Sequence, residues 1–445
     1  MEGRRLPLKS VFGIALAVVA LIVLLPPPAP LAKIPNRKPV YFWHMWSGEW
    51  QPIVEGICQR FNASQTQYEV IPLQIPSAGA DSKFLVSAAG GVSPDVVSQM
   101  HPVLGMWSDR GLIRPLDELM TPAEREAYVR EAFPIMKKHA IYHGHIMALI
   151  AGVDVNACYY RLDHLKEIGL DAQHLPKTLE ELVEVAKKLD RYDKDGRLQR
   201  VGFLPQTFQD FVPSFGGAFN DAAGNPLLGT PQQRAANRWV VSQYKRLGFD
   251  KVTRFLSTQA ADVGITAPII AGNYSIWLDG QWRVKQTHDF APNLQYCVAP
   301  LPPPVGGRPF ASNTAANFLV IPRASRNPEG ALAFMKYWIG MDDPEAGGHN
   351  QEQMSWLPYC QRVANAHSYQ KFLRENPNFK PFLDMMSSPN LEIPPTGPNQ
   401  SFIMDEMQKV GESTARGTKT ADQAIDDLVA AVKVEDKRQQ RLGHG

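Results

Sequence analysis

Tyr41-Phe-Trp-His-Met-Trp-Ser-Gly-Glu-Trp50 is the stretch whose reading decides the fold. Tyr41, Trp43 and Met45 alternate with Phe42, His44 and Trp46, and Gly48 breaks the run. That pattern predicts a buried first strand over 40–46 that ends in a loop. A helix over 50–62 follows, with Ile53, Ile57 and Phe61 four residues apart on one face. Tyr68 to Gln74 reads as a second strand, Asp81 to Ala89 as a second helix closed by Gly90-Gly91, and Pro94 to Gln99 as a third strand. Strand–helix alternation of this kind argues for a parallel sheet with helices on its faces. In such sheets ligands are met at the carboxyl ends of the strands, which places Trp46, Ser47, Gly48 and Glu49 where a ligand would arrive. Trp43, inside the strand, reads as core.

The chain continues in the same style for 445 residues, too many for one ordinary core, so two or three domains or lobes are expected. A hydrophobic content of 44% with 20% charged residues places it among globular rather than disordered chains. The formal charge is +2, and the six basic residues and one acid within residues 1–38 carry +5 of it, leaving the rest at −3. A body of that sign offers no electrostatic footprint for nucleic acid.

The first 32 residues read as an export address. Arg4, Arg5 and Lys9 precede an apolar run from Val11 to Leu25, and Pro26-Pro-Pro-Ala-Pro30 breaks it. The run falls short of the ~20 residues that a span needs, although it could serve as an uncleaved anchor. The segment Gly3-Arg-Arg-Leu-Pro-Leu-Lys9 resembles a twin-arginine signal. Lys33 to Pro39 is a polar tether. The expected location is therefore extracytoplasmic: periplasmic or cell-surface, with the N-terminus as a membrane tether if uncleaved.

Farther along, two helix starts are written as capping boxes, Thr121-Pro-Ala-Glu124 and Thr178-Leu-Glu-Glu181. Strands are expected at 144–150, 155–160, 274–278 and 318–321. Helices are expected at 179–189, 231–247, 257–271, 328–339 and 421–433. Asp193-Lys-Asp-Gly196 fails the calcium-loop pattern at both ends, where Arg191 and Gly202 stand, and reads as a turn. His139, His143 and His145 suggest a metal cluster, but Gly144 breaks the helix that such spacing requires, so no metal is assigned. The four cysteines show no metal spacing and read as core thiols. Ser242-Gln-Tyr-Lys245 lacks the further motifs of a serine acylase. No Walker loop, dinucleotide fingerprint or nucleophile elbow occurs, no cofactor is implied, and none of the 44 acids stands in a context that singles out a catalytic pair.

What remains are aromatic residues beside small polar ones at strand ends: Trp46-Ser47-Gly48-Glu49, Asp95 with Gln99, Asp154 with Asn156, Asp279-Gly280-Gln281-Trp282, Ser312-Asn313 and Ser355-Trp356. Flat rings cover the C–H faces of sugars, while carboxylates and amides take their hydroxyls. Together these positions describe a wet aromatic cleft without an obvious catalyst.

Several blocks resemble the family 1 extracellular solute-binding proteins, the sugar-binding subunits of ABC importers. They are Ala88-Ala-Gly-Gly-Val-Ser-Pro-Asp-Val-Val97, Leu116-Asp117-Glu118, Cys158-Tyr-Tyr160, Gly169-Leu170, Pro176-x-Thr-x-x-Glu-Leu182 and Ala271-Gly-Asn-Tyr-Ser-Ile-Trp-Leu-Asp-Gly-Gln-Trp282. Arg161, Leu179 and Asn273-Tyr274 depart from the family pattern. The resemblance implies a two-lobed α/β periplasmic-binding-protein fold of type II character, each lobe a mainly parallel sheet flanked by helices, with the ligand cleft between lobes. One lobe would comprise 40–152 and 312–352, the other 153–311 and 353–440, with crossings near 150–155, 308–314 and 352–357. By match to the family, Trp282 would stack on the sugar and Trp46, Asp95, Asp279, Gly280 and Trp356 would be cleft positions; the strand-end residues Ser47, Glu49, Gln99, Asp154, Asn156 and Asn313 complete the expected ligand set. The implied partners are a small carbohydrate and the membrane subunits of an ABC permease, met by a monomer that performs no chemistry. The competing readings are a glycerophosphate-type ligand in the same fold, an exported carbohydrate-active enzyme, and a sensor that signals rather than delivers. Cleft-side stretches poor in Arg and Lys argue against the phosphorylated ligand.

Overall fold

The computed structural model describes residues 34–441 except 77, 78, 101, 102, 261 and 263. The expected export segment therefore lies outside the described residues. No helix among those described is long and apolar enough to cross a membrane.

The opening stretch forms β1 (Lys38–His44), and its alternating residues bury Val40, Phe42 and His44 together with Trp43. β2 (Tyr68–Gln74) and β3 (Val96–Gln99) flank β1 in parallel, with Lys38 opposite Tyr68 and Phe42 opposite Val96. The helix between β1 and β2, Gln51–Ser64, buries Val54, Ile57, Cys58 and Phe61 against the sheet. The β-α-β-α-β order read from the sequence is thus present.

The rest of the main sheet is antiparallel but for one short pair. Two short ribbons, β4 (Ile141–Tyr142) with β5 (His145–Ile146) and β7 (Arg191–Tyr192) with β8 (Leu198–Arg200), stand apart from it. The main sheet instead continues through β6 (Leu149–Arg161) and β11 (Ser312–Val320). β11 pairs antiparallel with β3 on one side and with the first half of β6 on the other. The second half of β6 pairs with β9 (Ile276–Gly280) and β10 (Tyr296–Ala299), both antiparallel, while β12 (Leu391–Glu392) runs parallel to the start of β11. Parallel pairing, expected to predominate, is confined in the main sheet to β2–β1–β3 and β11–β12.

β6 explains why two strands were expected where one exists. Its 13 residues pass from the β11 neighbourhood into the β9/β10 neighbourhood without a break. The register against β11 shifts between Asn317 and Phe318, where Ala151 of β6 is passed over. Gly152 sits in that half of β6, and a Cβ there would lie 2.6 Å from the Trp356 ring, so only glycine admits the packing.

Helix starts follow local chemistry closely. Thr121 and Glu124 exchange both capping-box hydrogen bonds, and Thr230 with Gln233 does the same at the start of Pro231–Leu247. Thr178 caps Leu179–Leu189 through the Glu181 N–H. Pro328–Ile339 begins under the Asn327 side chain, ends at Gly340 with φ 78°, and buries Phe334, Met335 and Trp338. The helix expected over 257–271 is not formed. The helix is Phe249–Ser257, and the chain then breaks at Gly264 and Pro268, which give a short turn and a second short helix, Pro268–Ala271. All four cysteines are free, with Cys58, Cys158 and Cys360 buried.

Candidate functional site

A cavity of about 340 Å³ opens where β6, β11 and the end of β9 meet. Along β6, Val153, Val155 and Ala157 face the core, while Asp154 and Asn156 point the other way, onto the cavity wall. Asn313 on β11 joins them, and Trp282 stands at the start of the helix Trp282–Phe290, just past β9. The lining also includes Met100, Leu104, Lys138, His139 and Tyr142, and Ile393, Thr396, Gln400 and Met404 from farther along the chain. Gly105, on the helix Leu104–Asp109, approaches this last segment so closely that a Cβ would lie 2.9 Å from the Gly397 nitrogen.

The pose of Trp282 depends on Gly280. Its ring folds back over the end of β9, where a Cβ on Gly280 would come within 1.9 Å of the indole. The Gly280 carbonyl meanwhile accepts a hydrogen bond from the Tyr159 hydroxyl at 2.7 Å. The turn is pinned below by Asp279, which accepts from Arg283 Nε at 2.6 Å, from Trp277 Nε1 at 3.0 Å and from the Gly280 N–H at 2.8 Å. Arg283 also reaches Asp262 at 2.7 Å. Burial pushes the Asp279 carboxyl up, opposed by the Arg283 charge.

The two acids on the wall are held differently. Asp154 accepts from the Gln281 amide at 2.9 Å and, longer, from the Asn317 amide at 3.4 Å. Burial, assisted by the nearby Asp279 charge, raises its carboxyl to about 6. Asp210 accepts from the Thr207 hydroxyl at 2.9 Å and from the Asn156 amide at 3.4 Å, and burial raises it to about 6 as well.

His139 has an assignable tautomer. The Thr314 hydroxyl donates its one proton to the Glu392 carbonyl at 2.8 Å. The contact between His139 Nε2 and Thr314 Oγ1 at 2.9 Å therefore places the ring proton on Nε2 and leaves Nδ1 as an acceptor. Burial, then the neighbouring Lys138 charge, depresses this imidazole to about 3, so it is neutral. Lys138 donates to the Leu391 carbonyl at 2.8 Å and pairs with Glu392 at 3.2 Å.

Of the twelve residues read from the sequence, Asp154, Asn156, Trp282 and Asn313 line the cavity, and Gly280 and Asp279 support it from behind. The other six are placed elsewhere. Trp46 is only 8% exposed, stacked on Trp338 at 5.6 Å and against Trp356 at 5.2 Å, so both Trp46 and Trp356 belong to an aromatic core. Ser47 and Glu49 are exposed and do not line the cavity. Asp95 is buried as a structural tie, accepting from the Tyr41, Arg326 and Asn327 amides and the Ser325 hydroxyl. Gln99 is buried and donates to Asp81 at 2.6 Å.

The sequence reading missed Lys138, His139, Tyr142, Asp210 and Gln400. The histidine triad was the one signal near them. His143 and His145 turn outward to Asp109 and Asp117, in a hairpin whose His143 and Gly144 both have positive φ. Among the described residues, no group of three or more His, Cys, Asp or Glu side chains is arranged to hold a metal ion.

Residues 56–360 match the family model of the bacterial extracellular solute-binding proteins. The chain belongs to that family. Among curated relatives, this solute-binding protein is 21% identical to the maltotriose-binding protein of Pyrococcus abyssi over 73% of its own length and 67% of the relative's. It is also 21% identical to the sn-glycerol-3-phosphate-binding periplasmic protein UgpB of Shigella dysenteriae, over 87% and 90%. Its fold is shared with CpMnBP1 solved with mannotriose bound, at a TM-score of 0.77, 23% identity and coverage of 88% and 99%. The sugar-binding protein MalE of Xanthomonas citri gives 0.73, 20%, and 92% and 100%. The two-lobed α/β architecture expected from the sequence is thus the architecture of these neighbours.

Proposed function

We propose that this protein is the extracytoplasmic capture subunit of an ABC importer, that it holds a carbohydrate between two lobes by hinge closure, and that it releases the sugar to a membrane permease without chemistry. The observation that carries the reading is the half-buried Trp282 ring set beside Asp154, Asn156, Asp210 and Asn313 in one cavity. An aromatic face covers the C–H side of a pyranose, and the carboxylates and amides answer its hydroxyl rim. A volume of about 340 Å³ lies near the lower end for small-molecule sites, which suits a mono- or disaccharide unit. The relatives and neighbours named for maltotriose, mannotriose and sugar binding support the same ligand class.

The hinge in this reading includes the strands β6 and β11. The third crossing, expected near 352–357, moves later in the chain, because Trp356 packs on Trp46 and Cys360 forms a backbone β-bridge with Ala132. The lobes are then 40–152 with 312 to beyond 360, and 153–311 with the remaining C-terminal chain. A rotation about these crossings opens the cavity wall made by Lys138, His139 and Tyr142 away from Asp154, Asp210 and Trp282.

The relative named for sn-glycerol 3-phosphate motivates a second reading, a phosphorylated ligand in the same cavity. The only Lys or Arg on the described wall is Lys138, which is already engaged with Glu392 and the Leu391 carbonyl. Two carboxylates without a cationic partner would oppose a phosphate dianion. A thermal-shift screen decides between them. Saturation at 100 times Kd stabilises by about 2.7 kcal/mol, so a mono- or disaccharide should raise Tm and glycerol 3-phosphate should not. The opposite pattern would retire the carbohydrate reading.

A further inference from the structure

We propose that the sugar unit seated against Asp154, Asn156 and Asp210 carries a protonated amine, so that the ligand is a basic, glycosamine-type sugar in preference to its neutral counterpart. The inference rests on the carbohydrate reading and narrows it.

The wall of the cavity is short of positive charge. Asp279, just behind it, is neutralised by Arg283 at 2.6 Å. Among the described residues, Asp154 and Asp210 are met only by neutral groups, namely the Gln281, Asn317 and Asn156 amides and the Thr207 hydroxyl. Lys138, the one ammonium on the wall, is held by Glu392. Asn156 links the two acids: it shares one face of β6 with Asp154, two residues apart, and donates to Asp210. When the lobes close and water leaves, a neutral sugar leaves both charges uncompensated. An ammonium beside either acid offsets its charge, and Trp282 offers a ring face suited to a cation.

The remaining polar groups point the same way. Gln400 lines the cavity, is 4% exposed, and its Oε1 has no partner. Asn313 Oδ1 is likewise buried and unpartnered. His139 is neutral with Nδ1 as an acceptor, and the Tyr142 hydroxyl gives its proton to Asp109. Acceptors that lack donors require a ligand rich in N–H and O–H groups.

Calorimetric titration of the full chain at about pH 7 tests this with matched pairs: glucosamine against glucose, the glucosamine disaccharide against cellobiose, and mannosamine against mannose, with glycerol 3-phosphate alongside. In at least one pair the amine-bearing sugar should bind at least tenfold tighter, about 1.4 kcal/mol. That preference should shrink with added salt, and Asp210→Asn should reduce it as well. Equal or tighter binding of the neutral member in every pair that binds overturns the inference and leaves the carbohydrate reading standing. Binding of glycerol 3-phosphate alone, or of no sugar in the set, overturns both.

Discussion

Trp46 and Trp282 each follow a strand that ends near glycine, yet one is core and the other is wall. Trp46 leaves β1 toward the helix Pro328–Ile339 and is sandwiched by Trp338 and Trp356. Trp282 leaves β9 and is turned back over Gly280, whose missing side chain makes room for the ring. The same contrast divides the acids: Asp279 has Arg283, while Asp154 and Asp210 have, among the described residues, only neutral donors. A strand end therefore does not make a site. What matters is whether a second element covers the side chain, and whether a charge already has its partner.

The contrast sets an order of expected effects. Trp46→Ala should cost about 3–5 kcal/mol of stability, as core tryptophan deletions do, and should be read by denaturant unfolding. Asp279→Asn breaks a buried pair and leaves Arg283 the more exposed Asp262 as its charge partner, with a loss of about 3 kcal/mol. Trp282→Ala should abolish the sugar-induced stabilisation, about 2.7 kcal/mol at 100 times Kd, while moving the apo Tm far less than Trp46→Ala does. If instead Trp46→Ala removes sugar binding from a protein that remains folded, the division between core and wall is wrong. Gly280→Ala should mimic Trp282→Ala in binding, with an overpacking cost of about 1–3 kcal/mol.

The smallest effect has the opposite sign. Asp154 and Asp210 are raised to about 6 from 3.8, so the folded protein binds more protons than the unfolded chain between those values. Stability from these groups falls as pH rises through that window and stays low above it. Asp154→Asn or Asp210→Asn should therefore stabilise the apo protein at pH 7 by about 1–2 kcal/mol, and the gain should vanish below about pH 4. Destabilisation at pH 7 would mean that an unrecognised cation already pairs with the acid.

Much of the fold was legible because its signals are local. The alternation in β1, the capping boxes at Thr121 and Thr178, and the helices Pro231–Leu247 and Pro328–Ile339 are written in neighbouring residues. The antiparallel half of the sheet was not legible, because the direction of pairing between β6 and β11, more than 150 residues apart, leaves no local trace. The site divides the same way. Asp154 and Asn156 were found as small polar residues at a strand end, and Trp282 from the family block that ends in it. Asp210, Lys138 and Gln400 arrive from three distant segments, and only the fold brings them to one wall. Trp46 and Asp95 misled because burial by a remote helix and a remote loop cannot be read from strand-end position.

The most direct test incubates the purified protein with matched mono- and disaccharides, measures heat of binding, and recovers the sugar. The account predicts saturable binding of a sugar, loss of that binding in Trp282→Ala, and recovery of the sugar intact. Accumulation of cleaved or modified sugar with turnover, or wild-type binding by Trp282→Ala, would contradict it.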